Sequence, residues 1–163
     1  MRSCAWASSR PSFDPREEWC WHHWRTPAGG ATLAVEEPLM TVRVLIVDDQ
    51  EPFRMAARMV VEATDGFEVV GEAETGEDSV TMADELRPDL VLMDVNLPGI
   101  NGLDATRQIL SASDVIVVLL LSTYEEEEYA PRAAECGAAA YIPKAVFGPD
   151  RLESAWAAAR GTA

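Results

Sequence analysis

Residues 89–99 read DLVLMDVNLPG, and this stretch decides the fold. Residues 90–93 form a short apolar run that stops on a single carboxylate, Asp94. Asn96, Pro98 and Gly99 follow at once as turn residues. A continuous apolar run bounded by turn signals fits a strand covered on both faces, as in a parallel sheet. A carboxylate at the carboxyl end of such a strand stands where open α/β sheets bind ligands. Taken alone, Asp94 would more simply cap a turn. Recurrence of the pattern on other strands decides against that simpler reading.

The pattern does recur. Residues 42–47 (VRVLIV) form a first strand ending in Asp48-Asp49. Glu51 and Pro52 suit the first turn of a helix, since an acid favours the positive end of the dipole and proline fits early positions. Phe53, Ala56, Ala57, Val60 and Val61 carry its apolar face to about Thr64. Residues 67–71 give a second strand. A second helix opens at Thr75 or Gly76 and runs to Leu86, where Pro88 stops it. Beyond the central strand, Asn101 caps a third helix over residues 103–110.

Residues 115–121 (VIVVLLL) are the most apolar run in the chain and give a fourth strand, ending at Ser122. Residues 125–136 are helical in composition and are closed by Gly137. Pro131 would be interior to that helix at a cost of about 3 kcal/mol. A kink, or a late start around Tyr129, is therefore expected. Residues 138–142 form a fifth strand, Pro143-Lys144 follow, and a last helix covers about 149–160. Strands alternating with helices predict an α/β fold, a parallel sheet with helices on both faces.

The 163 residues suggest one domain plus a tail, and 48% apolar content is enough for a core. The net charge of -15 argues against sequence-independent DNA binding by phosphate neutralisation and suggests basic partners. Twelve of the 13 basic residues are arginine, so Lys144 is the one lysine. Cys4, Cys20 and Cys136 have no disulfide-framework spacing, which favours a reducing, cytoplasmic compartment. No apolar run approaches the roughly 20 residues that span a bilayer, and there is no compact signal-peptide core.

Residues 1–40 hold four of the five tryptophans without a regular period, and are interrupted by Pro11, Pro15, Pro27 and Pro38. They are expected to be a disordered extension, with Met40 as the natural start. Cys20, His22 and His23, with Cys4 remote, fall short of the four spaced ligands of a structural zinc site.

Polar groups thus stand at four strand ends: Asp48 and Asp49, Asp94, Ser122, and Lys144. If the first and third strands are neighbours, three carboxylates crowd one crevice. Such close like charges need neutralising. Mg²⁺ suits a site with few carboxylates and several waters. A lysine can meet a phosphoryl oxygen, and a serine hydroxyl can donate to another. The set fits phosphoryl transfer onto a carboxylate.

Residues 41–163 resemble the receiver domain of two-component response regulators. The resemblance lies in LIVDD (45–49), DLVLMDVNLPGINGL (89–103), LLLST (119–123) and AAAYIPK (138–144). It implies a flavodoxin-like (βα)5 fold with a five-stranded parallel sheet of order 2-1-3-4-5. It implies Asp94 as phosphoacceptor, and Mg²⁺ held by Asp48, Asp49, Asp94 and the backbone carbonyl of Asn96. Ser122 and Lys144 would contact the phosphoryl group, and Ser122 and Tyr141 would form the switch. Asn96 and Tyr124 fall where side chains tune dephosphorylation.

The implied partners are a sensor histidine kinase or phosphotransfer protein, an unknown downstream protein, and a second copy in a phosphorylation-dependent homodimer. Neither direct DNA binding nor membrane association is expected. Since no helix-turn-helix module follows, a stand-alone receiver is expected, with no enzymatic activity beyond its own phosphorylation and dephosphorylation. The competing readings are a phosphorylation-independent binding module of the same fold and an aspartate-nucleophile phosphatase. Thr123 after the switch serine is larger than the residue often found there in similar domains. Lys144 is followed by alanine rather than proline, leaving Ile142-Pro143, expected trans.

Overall fold

The structure, a computed structural model, describes residues 41–124 and 126–161. The expected extension at 1–40, with its cysteine and histidine group, and Glu125 in the acidic run lie outside the described residues.

Five strands and five helices alternate: β1 (Val42–Val47), α1 (Glu51–Glu62), β2 (Phe67–Ala73), α2 (Gly76–Leu86), β3 (Leu90–Asp94), α3 (Gly102–Ala112), β4 (Val117–Ser122), α4 (Glu126–Cys136), β5 (Ala140–Pro143) and α5 (Pro149–Gly161). A single 3-10 turn, Lys144–Val146, links β5 to α5. All strand pairs are parallel, in the order β2-β1-β3-β4-β5. This is the expected flavodoxin-like arrangement. It makes β1 and β3 neighbours, so their carboxyl ends lie side by side.

Side chains alternate across each strand. Leu45, Val47, Val91, Met93, Val118 and Leu120 join Ala83, Leu103, Ala105, Ile109, Ala133 and Cys136 in the core beneath α2, α3 and α4. Val44, Ile46, Leu90, Leu92, Leu119 and Leu121 pack with Ala57, Val61 and Leu152 beneath α1 and α5. All five residues of β3 are buried. Each fully buried Leu or Val contributes about 1.5–3 kcal/mol relative to exposure, which holds the strand ends as a rigid frame.

Local chemistry sets the boundaries. The Thr75 side chain accepts a hydrogen bond from the Asp78 amide at 3.1 Å, and Asn101 Oδ1 accepts from the Asp104 amide at 2.9 Å. Both cap their helices, as the sequence suggests. At the end of α2, Arg87 adopts a left-handed φ of 47°. The Arg43 guanidinium, reaching from β1, donates to the Leu86 and Arg87 carbonyls at 2.7 and 2.9 Å. Among the described residues no peptide bond is cis.

Several details differ from the sequence reading: β2 runs on to Ala73, and β5 is Ala140–Pro143 rather than 138–142. Strand β4 begins at Val117, because Val115 is 75% exposed and lies beyond the sheet despite its place in the apolar run. On α1, Ala56 is exposed and Arg54 is buried instead, drawn inward by ion pairs to β2 and the loop after it. Helix α4 starts at Glu126 and encloses Pro131, so the expected late start near Tyr129 is not found. Proline removes one backbone hydrogen bond there. The seating of Ala133 and Cys136 in the core holds the helix in place.

Candidate functional site

Three acidic residues converge at the carboxyl edge of β1 and β3. Asp48 and Asp94 are buried and Asp49 is exposed, and each offers an oxygen within 4.8 Å of the others. Register explains the meeting. Val47 pairs with Met93, which brings the next residues, Asp48 and Asp94, side by side. Lys144 enters from the end of β5. Its Nζ stands 2.5 Å from Asp48 Oδ2 and 3.1 Å from Asp94 Oδ1, and its side chain is only 8% exposed. The ammonium also lies 4.4 Å from the centre of the Phe53 ring. A cation over an aromatic face is stabilised by the ring quadrupole.

Burial pushes the Asp94 carboxyl up from 3.8 to about 6; Lys144 lowers it in part and Asp48 raises it further. The backbone amide of Asn96 also favours the ionised form. Asp48 Oδ1 accepts from the Gln50 amide at 2.9 Å, which fixes its orientation. Buried Asp48 Oδ2 receives no hydrogen bond of regular geometry and is met by the Lys144 ammonium.

The donor set fits a hard divalent cation. Three carboxylates against one ammonium leave surplus negative charge in a partly dry crevice. The exposed Asp49 keeps one side open to water, which suits an ion that retains part of its hydration.

Ser122, fully buried, ends β4 one residue beyond Leu121, the partner of Asp94. Its Oγ accepts a hydrogen bond from the Tyr124 amide at 3.3 Å. Tyr141, only 8% exposed, donates its hydroxyl to the Tyr124 carbonyl at 2.8 Å. Tyr124 therefore bridges the two expected switch residues through its backbone, while the residue as a whole is 46% exposed. Asn96 is exposed, two residues past Asp94.

The structure thus brings Asp48, Asp49, Asp94 and Lys144 into one cluster and links Ser122 to Tyr141. Sequence reasoning missed Phe53 beneath the lysine. It missed Tyr129, whose ring stacks between Tyr124 at 5.0 Å and Tyr141 at 6.2 Å. It also missed Arg54, whose guanidinium donates to the Asp48 carbonyl at 2.8 Å and to Glu74 at 2.5 Å. The apolar pattern of α1 gave no warning of that buried arginine.

A doubly wound parallel sheet with acidic groups and one lysine at its carboxyl edge defines a flavodoxin-like domain with a ligand crevice. The response regulator receiver domain model matches residues 44–157, and the chain belongs to that family. It is 44% identical over 103 residues to the response regulator GacA of Pseudomonas viridiflava, covering 63% of this chain and 48% of that protein. It is 32% identical over 122 residues to the transcriptional regulatory protein DegU of Brevibacillus brevis, covering 75% and 52%. The chain spans about half the length of these curated relatives. Among solved structures, it resembles a LuxR-family two-component response regulator from Aurantimonas sp. SI85-9A1, with TM-score 0.69, 30% identity and coverage of 74% and 86%. It also resembles the response regulator domain of Thermotoga maritima CheB, with TM-score 0.65, 30% identity and coverage of 74% and 97%. No described helix is long and apolar enough to cross a membrane.

Proposed function

We propose that this chain is the phosphoacceptor of a two-component phosphorelay, and that Asp94 takes the phosphoryl group. The observation that carries the reading is the placement of Lys144 Nζ within 3.1 Å of Asp94 Oδ1, beside Asp48 and Asp49. A carboxylate oxygen of Asp94 attacks phosphorus in line. The new O–P bond forms as the bond from phosphorus to the donor breaks. The electron pair leaves with a kinase imidazole or, for acetyl phosphate, with acetate.

Asp48, Asp49, Asp94 and the Asn96 carbonyl would hold Mg²⁺, which when bound supplies charge neutralisation for the phosphoryl oxygens. Lys144 meets one phosphoryl oxygen with a point charge, and the Ser122 hydroxyl turns to donate to another. The phosphoaspartate adds roughly two negative charges, enough to bias a bistable element. Ser122 and Tyr141, joined through Tyr124, are that element, and the face of α4, β5 and α5 is what changes. Asn96 and Tyr124, both exposed beside the crevice, tune access of water to the acyl phosphate.

The donor is a sensor histidine kinase or phosphotransfer protein, and the changed face is read by a downstream protein or a second copy of this chain. The domain works in the cytoplasm and does not itself contact DNA, in keeping with the chain's net charge of -15. Its chemistry is confined to its own phosphorylation and dephosphorylation. Intact mass after incubation with acetyl phosphate tests the reading. Wild type with Mg²⁺ should gain one phosphoryl group, and Asp94→Asn should gain none. Equal labelling of both would refute it.

A further inference from the structure

The loop after Asp94, residues 95–101, decides where the Asn96 carbonyl points. Its ends are fixed by backbone hydrogen bonds, Val95 N–H to the Leu121 carbonyl at 3.1 Å and Gly102 N–H to the Val95 carbonyl at 3.0 Å. Leu97 anchors it in the core. The outward turn at Pro98 and Gly99 has a different tie. The Ile100 amide donates to Glu77 Oε1 at 3.1 Å, across 23 residues of sequence. Glu77 lies exposed in the first turn of α2. Its carboxylate rests over Gly99, where φ is +77° and an added Cβ would fall 2.4 and 2.5 Å from the two carboxylate oxygens. Only glycine gives the carboxylate room to reach the next amide.

We propose that Glu77 is a positioning residue for the acidic site, clamping this loop so that the Asn96 carbonyl faces Asp48, Asp49 and Asp94. The inference rests on the phosphoacceptor reading. Glu77 touches neither the cation nor the phosphoryl group and acts through the Ile100 amide. Partners that orient metal ligands from outside commonly change metal affinity by 10–100-fold when removed. An exposed clamp on a backbone ligand belongs near the low end of that range.

The test is a Mg²⁺ titration followed by amide chemical shifts, together with hydrogen exchange at Ile100, on wild type, Glu77→Ala and Glu77→Gln. Glu77→Ala should weaken Mg²⁺ binding about tenfold and speed Ile100 exchange by a similar factor. Glu77→Gln keeps an oxygen acceptor and should restore both to near wild type. Wild-type affinity in Glu77→Ala would overturn the inference, as would a Glu77→Gln variant as weak as Glu77→Ala, since charge rather than positioning would then be at work. Failure of wild type itself to bind Mg²⁺ would overturn the phosphoacceptor reading and the inference with it.

Discussion

The hydroxyl of Tyr141 donates to the backbone carbonyl of Tyr124 at 2.8 Å, tying the buried side of β5 to the loop that follows β4. The amide of the same Tyr124 reaches Ser122 Oγ at 3.3 Å. A change at the serine therefore pulls on the tyrosine through the backbone of one residue, Tyr124. Tyr129 of α4 stacks between the rings of Tyr124 and Tyr141, so the helix is drawn into the same chain of contacts.

Tyr141→Phe keeps the ring stack and removes the donor. We expect a loss of about 1 kcal/mol, the usual net worth of one hydrogen bond, in urea unfolding. A double-mutant cycle of Tyr129→Ala with Tyr141→Ala should return a coupling of about 0.5–1.5 kcal/mol, as for packed aromatic pairs. Strict additivity would show that the stack does not couple the two elements.

Asp94 makes stability depend on pH in an unusual direction. Burial raises its folded value to about 6, above the 3.8 expected when unfolded. Between those values the folded state binds more protons than the unfolded one. Stability therefore falls as pH rises through this window, and the loss is complete above about 6. Urea midpoints in chelator should show this decline from about pH 4 to 6.5, superimposed on the other carboxylates. Asp94→Asn should remove that component and be the more stable protein at pH 7.5. Added Mg²⁺ should narrow the gap. Parallel pH profiles for the two proteins would contradict the placement of Asp94 in a desolvated site.

Lys144 is the cation that offsets this burial, 3.1 Å from Asp94. Lys144→Met keeps much of the side-chain volume and deletes the charge. Carboxyl-carbon NMR should then find Asp94 titrating above the wild-type value. Labelling by acetyl phosphate at pH 7 should slow on the order of 100-fold, as when one preorganised electrostatic group is lost. An unchanged titration would mean that the ammonium does not sense Asp94 in solution.

Gly102 lies where helix α3 starts against the end of β3. An added Cβ would fall 1.9 Å from the Asp94 carbonyl oxygen, and its other near neighbours are also backbone atoms, of Asp94 and Val95. Gly102→Ala should cost about 1–3 kcal/mol or more by overpacking, and should displace Asp94. The checks are the urea midpoint and the Mg²⁺ affinity together. A variant unchanged in both would show that α3 can retreat without disturbing the site.

The polar strand ends were legible because each closes an apolar run: Asp48-Asp49 after VRVLIV, Asp94 after LVLM, Ser122 after VIVVLLL. Alternation of strand and helix then dictated a parallel sheet, and the motifs placed β1 beside β3. What stayed hidden acts across elements and leaves no period. Glu77 binds an amide 23 residues away, Arg54 a carboxylate 20 residues away, and Phe53 underlies a lysine from the far end of the domain. Such side-chain reach depends on tertiary placement, which propensity does not encode. Helix α4 shows the same limit: the cost of Pro131 is local, while the packing of Ala133 and Cys136 that outweighs it is not.

The most direct measurement reduces the phosphorylated protein with borohydride and maps the modified peptide by mass spectrometry. An acyl phosphate on a carboxylate is reduced to an alcohol, marking the residue that carried it. The modification should fall on Asp94 alone and require Mg²⁺ during labelling. A mark on Asp48 or Asp49, or none on protein that has gained the phosphoryl mass, would contradict Asp94 as the acceptor.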